Sequence, residues 1–134
     1  MTRPILLAAA LALLAGPALP QTANAPTTSA QRVFGERLPN VPGKSLTAVV
    51  VDFPPGVVSK PHHHAGSVFV YVLSGAVRSQ LEGGEAKVYR AGETFFEPPG
   101  AHHVSSGSAS ASEPARILAV FVADDGATLT TYDK

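Results

Sequence analysis

The chain has 134 residues, with ten basic and ten acidic side chains, five histidines and no cysteine. One packed domain is the most this length supports. A formal net charge of +0 offers neither a basic surface for nucleic acid nor a charged tail. The lack of cysteine excludes disulfides, thiolate nucleophiles and thiolate ligands, so His, Asp and Glu are the side chains left for a metal.

Met1-Thr2-Arg3 is a short positive start, and residues 5–14 form an uncharged Ala/Leu run that Gly16, Pro17 and Pro20 break. This is the layout of a secretory signal peptide over residues 1–25. The apolar run of about ten residues is well short of the roughly 20 that span a bilayer. Ala23 and Ala25 place small residues at the offsets of a cleavage site, with cleavage after Ala18 or Ala23 as alternatives. The expectation is an exported protein, periplasmic or secreted, free of the membrane after cleavage. Loss of Arg3 leaves the mature chain nine basic and ten acidic side chains, a charge close to −1.

Residues 26–44 read as a flexible leader followed by an arm, and residues 45–134 as the domain. The segment from 20 to 30 is small and polar. Val33, Phe34, Leu38 and Val41 then lie among Gly and Pro residues, which suits an arm or short strand laid on the domain rather than a helix. From Leu46 the pattern is β. LTAVVVDF stops at Pro54-Pro55-Gly56, and VFVYVL (68–73) is an almost unbroken apolar strand ending at Ser74-Gly75. AVRSQL (76–81) alternates and meets the turn Glu82-Gly83-Gly84-Glu85, KVYR stops at Ala91-Gly92, and TFFE runs into Pro98-Pro99-Gly100. Residues 105–114, SSGSASASEP, look like a polar loop; RILAVFVA is the last strong strand, and the tail from Asp124 is a weak one. No stretch after residue 30 keeps a helical period, so about eight short strands separated by turns predict an all-β sandwich, barrel or jelly roll.

Three histidines stand together at 62–64 and two at 102–103. Side chains alternate along a strand, so His62 and His64 would share a face and His63 would oppose them. His-x-His of this kind is either an exposed polar pair or a two-point metal clamp needing a third ligand from another strand. One of His102 and His103, just after the Pro-Pro-Gly turn, is placed to supply it.

At this point the chain resembles the cupins, small β-barrels with two sequence motifs. The first, G-x5-H-x-H-x3–4-E-x6-G, is matched by Gly56, His62, His64 and Gly75, and the second, G-x5-P-x-G-x2-H-x3-N, by Gly92, Pro98, Gly100 and His103. Two positions depart: Val68 stands where the motif has its glutamate, and Gly107 where it has its asparagine. The resemblance implies a single-domain double-stranded β-helix, a jelly-roll barrel, with His62, His64 and His103 as metal ligands and His63 and His102 outside the set. Without the carboxylate, three neutral imidazoles would suit Fe²⁺, Cu²⁺, Zn²⁺ or Ni²⁺ better than hard, oxygen-seeking ions. Three protein ligands with open positions is the layout of a catalytic metal site, and within the cupins the thiol dioxygenases work with three histidines alone.

Glu97 is a candidate ligand or general base if it faces inward, and an ordinary surface charge if it faces out. Tyr71, Gln80 and Phe95 are candidates for the substrate pocket. The function that follows is a metal-dependent enzyme acting on a small anionic or chelating molecule, an oxygenase first; the alternative is a non-catalytic barrel that captures a small ligand or a metal ion. Such barrels often pair, and Arg32 to Val41 is a candidate arm for a homodimer.

Overall fold

A computed structural model describes residues 24–134, all of them outside the segment 1–23 that carries most of the expected export signal. Ten strands make up the fold: β1 (Ser29–Arg37), β2 (Lys44–Phe53), β3 (His62–His64), β4 (Ser67–Ser74), β5 (Ala76–Leu81), β6 (Lys87–Arg90), β7 (Thr94–Glu97), β8 (His102–Ser108), β9 (Ala115–Asp124) and β10 (Thr130–Tyr132). They form two five-stranded antiparallel sheets, β1-β2-β9-β4-β7 and β10-β3-β8-β5-β6. From β2 to β5 and again from β6 to β10 the chain passes from one sheet to the other at each step, which is the jelly-roll barrel expected from the pattern of strands and turns.

The strands form where β-branched and aromatic residues cluster, and their alternation fixes what faces the interior. Val68, Val70 and Val72 of β4 are at most 1% exposed, and Val77 is fully buried. They pack with Phe53, Ala115, Ile117, Ala119 and Phe121 into one core. At the end of β4, Gly75 takes φ 68° and sits where a Cβ would come 2.3 Å from the Pro114 carbonyl oxygen, so the turn into β5 requires glycine on both counts.

The segment 105–114 corrects the sequence expectation. Its first four residues continue β8, which pairs with β5 from Val77↔Ser108 to Gln80↔Ser105 and lies in the middle of its sheet. Ser and Gly here reflect close packing, not looseness. A Cβ on Gly107 would lie 2.4 Å from the Val57 carbonyl oxygen, and the chain at 57–59 crosses so near that Ser59 N–H donates to the Ser106 carbonyl at 2.7 Å. The asparagine of the second motif therefore has no room at 107.

β1 begins at Ser29, within the segment expected as a leader, and pairs with β2 over eight residue pairs with a bulge between Arg32 and Phe34. The arm is an edge strand of the sheet that carries most of the core.

Candidate metal centre

β3 is only three residues long, yet it is held on both sides, by β10 and by β8. Its alternation buries His62 and His64 and leaves His63 exposed. His103 stands directly across from His62 in β8, so the backbone ladder itself brings the second motif against the first. The ring centroids of His62 lie 4.9 Å from those of His64 and 5.1 Å from those of His103. One ligand-capable nitrogen from each lies within 4.8 Å of the others. Three such atoms fit within about 2.8 Å of one point, less than an ångström beyond the ~2.0–2.1 Å of an imidazole–zinc bond.

Hydrogen bonds orient each ring. Nδ1 of His62 donates to the Lys60 carbonyl at 2.8 Å, and Nδ1 of His64 to the Leu129 carbonyl at 3.0 Å, which leaves both Nε2 lone pairs for the centre. His103 is turned the other way round: its Nε2 is 2.7 Å from Ser79 Oγ, and Nδ1 faces inward without a partner. Second contacts of this kind fix the tautomer of a metal-binding histidine. Burial holds the imidazoles of His64 and His103 neutral, both lowered to about 4.

Glu97 faces inward and is 3% exposed. Its Oε2 lies 3.5 Å from His64 Nε2 and 3.5 Å from His103 Nδ1, and it too has no hydrogen-bond partner. Burial pushes its carboxyl up to about 7. The register explains its position: Glu97 of β7 is the direct cross-strand partner of Val68 of β4. The motif carries its carboxylate on β4; here Val68 takes that place, and the residue beside it on the next strand presents the acid to the same interior. A buried carboxylate oxygen and a buried imidazole nitrogen, both unpaired and both aimed at one point, are what a divalent cation would satisfy. The residues present fit a metal.

Around this cluster the barrel encloses a cavity of about 320 Å³. Its walls are Val49, Val51, Phe53, Val70, Ile117 and Phe121 among other apolar residues, with Phe95 joining from β7. Phe95 is held by stacking on Tyr89 at 4.5 Å. Two expected pocket residues lie elsewhere. Tyr71 alternates with Val70 and Val72 onto the outer face of β4, where it is 39% exposed. Gln80 donates its amide to the Gly84 carbonyl in the β5–β6 turn, because buried Val77 and Ser79 occupy the inward parity of β5. Ser79 was the residue to expect: an inward Val77 sends Ser79 inward with it. Leu129 and Thr130, which hold and line the site from β10 and the turn before it, carry no such signal in the sequence.

The sequence profile of the cupin domain matches residues 49–121, which spans β2 to β9 with both motifs. The chain belongs to the cupin family. Solved structures with the same fold include the DMSP lyase DddQ from Ruegeria pomeroyi, at 22% identity and a TM-score of 0.64 over 79% of this chain and 51% of that one. A cupin-like protein from Thermotoga maritima aligns at 19% identity and a TM-score of 0.63, over 79% of this chain and 75% of that one. Oxalate decarboxylase from Bacillus subtilis, a protein with Mn(II) centres, aligns at 21% identity and a TM-score of 0.56, over 65% of this cupin and 23% of the decarboxylase. This cupin therefore spans about half the length of the lyase. No curated protein matches it in sequence.

Proposed function

We propose that this cupin is an exported protein that binds one divalent transition metal through His62, His64 and His103 and acts as an oxygenase on a small molecule. The observation that carries the reading is the convergence of three buried imidazoles and one buried carboxylate on an apolar cavity. Fe, Cu, Zn and Ni suit the imidazoles, and Glu97 within reach turns the set into three nitrogens and an oxygen, which extends the range to Mn²⁺. Bound there, the metal would supply Lewis-acid or redox chemistry at the coordination positions the protein leaves open.

The chain's own residues do the rest. His62, His64 and His103 hold the centre, each fixed by its backbone or serine contact. Glu97, with its carboxyl near 7, can take up or give back a proton at neutral pH, where a general base works best. Phe95, Phe121 and the valines exclude water and accept the apolar part of a ligand. Export rests on the charge and hydropathy pattern of residues 1–25, and pairing of two copies belongs to the same reading.

Glu97 also favours a second reading, proton transfer without dioxygen. Such chemistry accords with the lyase and decarboxylase whose folds resemble this one. Elemental analysis of tag-free protein, beside a His64→Ala/His103→Ala variant, tests the centre. About one equivalent of metal is expected in the parent and none in the variant. No metal in the parent after reconstitution sinks the enzyme reading and leaves a ligand-binding barrel. Turnover that persists without dioxygen selects the second reading.

A further inference from the structure

The chain has five histidines, and the centre inside the barrel uses three of them. His63 and His102 stand in the same two runs and are left over. The alternation of β3 and β8 that buries His62 and His103 sends these two to the outer face of the sheet. The register makes them direct partners, His63 opposite His102, on the rung next to His62 and His103. Facing residues of an antiparallel pair have Cβ atoms about 4.5–5.5 Å apart, a spacing at which two imidazoles can share one ion.

Two carboxylates join them. Asp133 follows β10, the neighbour of β3 on its other side. There Thr131 lies beside His63 and Tyr132 turns inward to the cavity, so Asp133 comes out again on the outer face. Its backbone N–H donates to the Pro61 carbonyl at 3.0 Å, which fixes it at the start of β3. From that place its Oδ2 reaches His102 Nε2 at 2.9 Å. On the opposite side of the same ring, Glu82 Oε2 lies 3.6 Å from Nδ1. Glu82 is tied to β8 as well, since its N–H donates to the His102 carbonyl at 2.8 Å.

We propose that His63, His102 and Asp133 form a second metal site, on the outer face of the sheet, for Zn²⁺, Cu²⁺ or Ni²⁺. Two donors 2.9 Å apart can both lie about 2.0–2.2 Å from one ion, the length of zinc bonds to imidazole nitrogen and carboxylate oxygen. An ion there takes the Nε2 lone pair of His102 and leaves the ring proton on Nδ1, facing the Glu82 carboxylate. His63 is exposed, and rotation about its two side-chain bonds brings a nitrogen to the third position. Two imidazoles select these ions over Ca²⁺ and Mg²⁺, and the carboxylates of Asp133 and Glu82 balance the charge. The outer ion joins β8 to β3 and β10, each only three residues long. It therefore clamps from outside the strands that carry His62, His64 and His103. Exposed donors let the ion exchange with the buffer, so dialysis that leaves the inner equivalent in place removes the outer one.

Zinc calorimetry on the full chain tests the site, with His64→Ala/His103→Ala emptying the inner centre. The expected result is one equivalent bound with a micromolar dissociation constant, and a melting temperature raised by several degrees in excess zinc. Adding His63→Ala/Asp133→Ala should weaken that binding at least about a hundredfold, because the donors no longer act together. A second measurement keeps the inner ligands intact. Cu²⁺ added to the parent beyond its first equivalent should give a second electron paramagnetic resonance spectrum, with hyperfine coupling to two imidazole nitrogens. His63→Ala should reduce the coupling to one nitrogen, and His63→Ala/Asp133→Ala should abolish the spectrum. If the inner centre takes no metal, the outer spectrum comes with the first equivalent instead, so the two sites fail separately. Zinc held no more tightly than by a single surface histidine, or a copper spectrum that the outer substitutions leave unchanged, would overturn the proposal.

Discussion

Glu97→Gln separates a strained buried carboxylate from an ordinary structural acid. Folding raises the carboxyl from 4.5 to about 7, and burial is the cause. The folded state therefore binds more protons than the unfolded chain between those values, and stability falls as pH rises through that window and levels out above it. At about 1.4 kcal/mol per pH unit, the metal-free protein at pH 8 carries a penalty of about 3–3.5 kcal/mol. The glutamine is nearly isosteric, needs no desolvated charge, and can donate to the lone pair of His64 Nε2 or His103 Nδ1, each 3.5 Å from the oxygen it replaces. Metal-free Glu97→Gln should thus melt roughly 12–15 °C above the parent at pH 8 and only about 3–4 °C above it at pH 5, where the folded-state glutamic acid is already neutral. Metal affinity should move the opposite way, falling about a hundredfold at pH 8 because an anionic donor is lost. Scanning calorimetry of stripped protein at both pH values, with metal titrations alongside, reads the two effects. A variant that melts below the parent at pH 8, or a gain of equal size at both pH values, would refute the reasoning.

Three further outcomes follow from the same geometry. The parent's metal affinity should fall about tenfold per pH unit below about 7, because Glu97 must lose its proton to bind; competition with a chromogenic chelator measures this. For the metal-free protein, His64 and His103 are lowered to about 4, so their contribution is present above 6.5 and lost on acidification towards 4, while Glu97 changes in the opposite sense. Two histidines outweigh one glutamate, and urea unfolding should show a stability maximum near pH 6.5 with a loss of about 2–3 kcal/mol by pH 4.5. Ser79→Ala leaves Nε2 of buried His103 without its partner at 2.7 Å and should weaken metal binding about tenfold by calorimetry, with the fold intact. Gly107→Asn drives a side chain into the Val57 carbonyl and should cost more than about 2 kcal/mol in thermal unfolding; a cost near zero would show that the backbone there yields.

The sequence by itself determined the fold and the pair of motifs. Alternation in strands, the glycines and prolines between them, and the spacing of His62, His64 and His103 are local properties, and local chemistry sets strand, turn and side-chain parity. It also held the parity that sends Ser79 inward and Gln80 outward, which the buried Val77 makes legible. Four things only the tertiary structure decided. Ser105 to Ser108 form part of a central strand because small residues permit the close crossing of 57–59 over it, a contact between segments far apart in sequence. Tyr71 stands outside and Phe95 inside because the sheets close in one sense and not the other. His103 meets His62 because β3 and β8 pair across some forty residues of chain. Glu97 reaches the centre because the register of β4 against β7 places it beside Val68. A motif counts positions along one strand, whereas a metal ion senses only distance in space, and sheet pairing is what converts the one into the other.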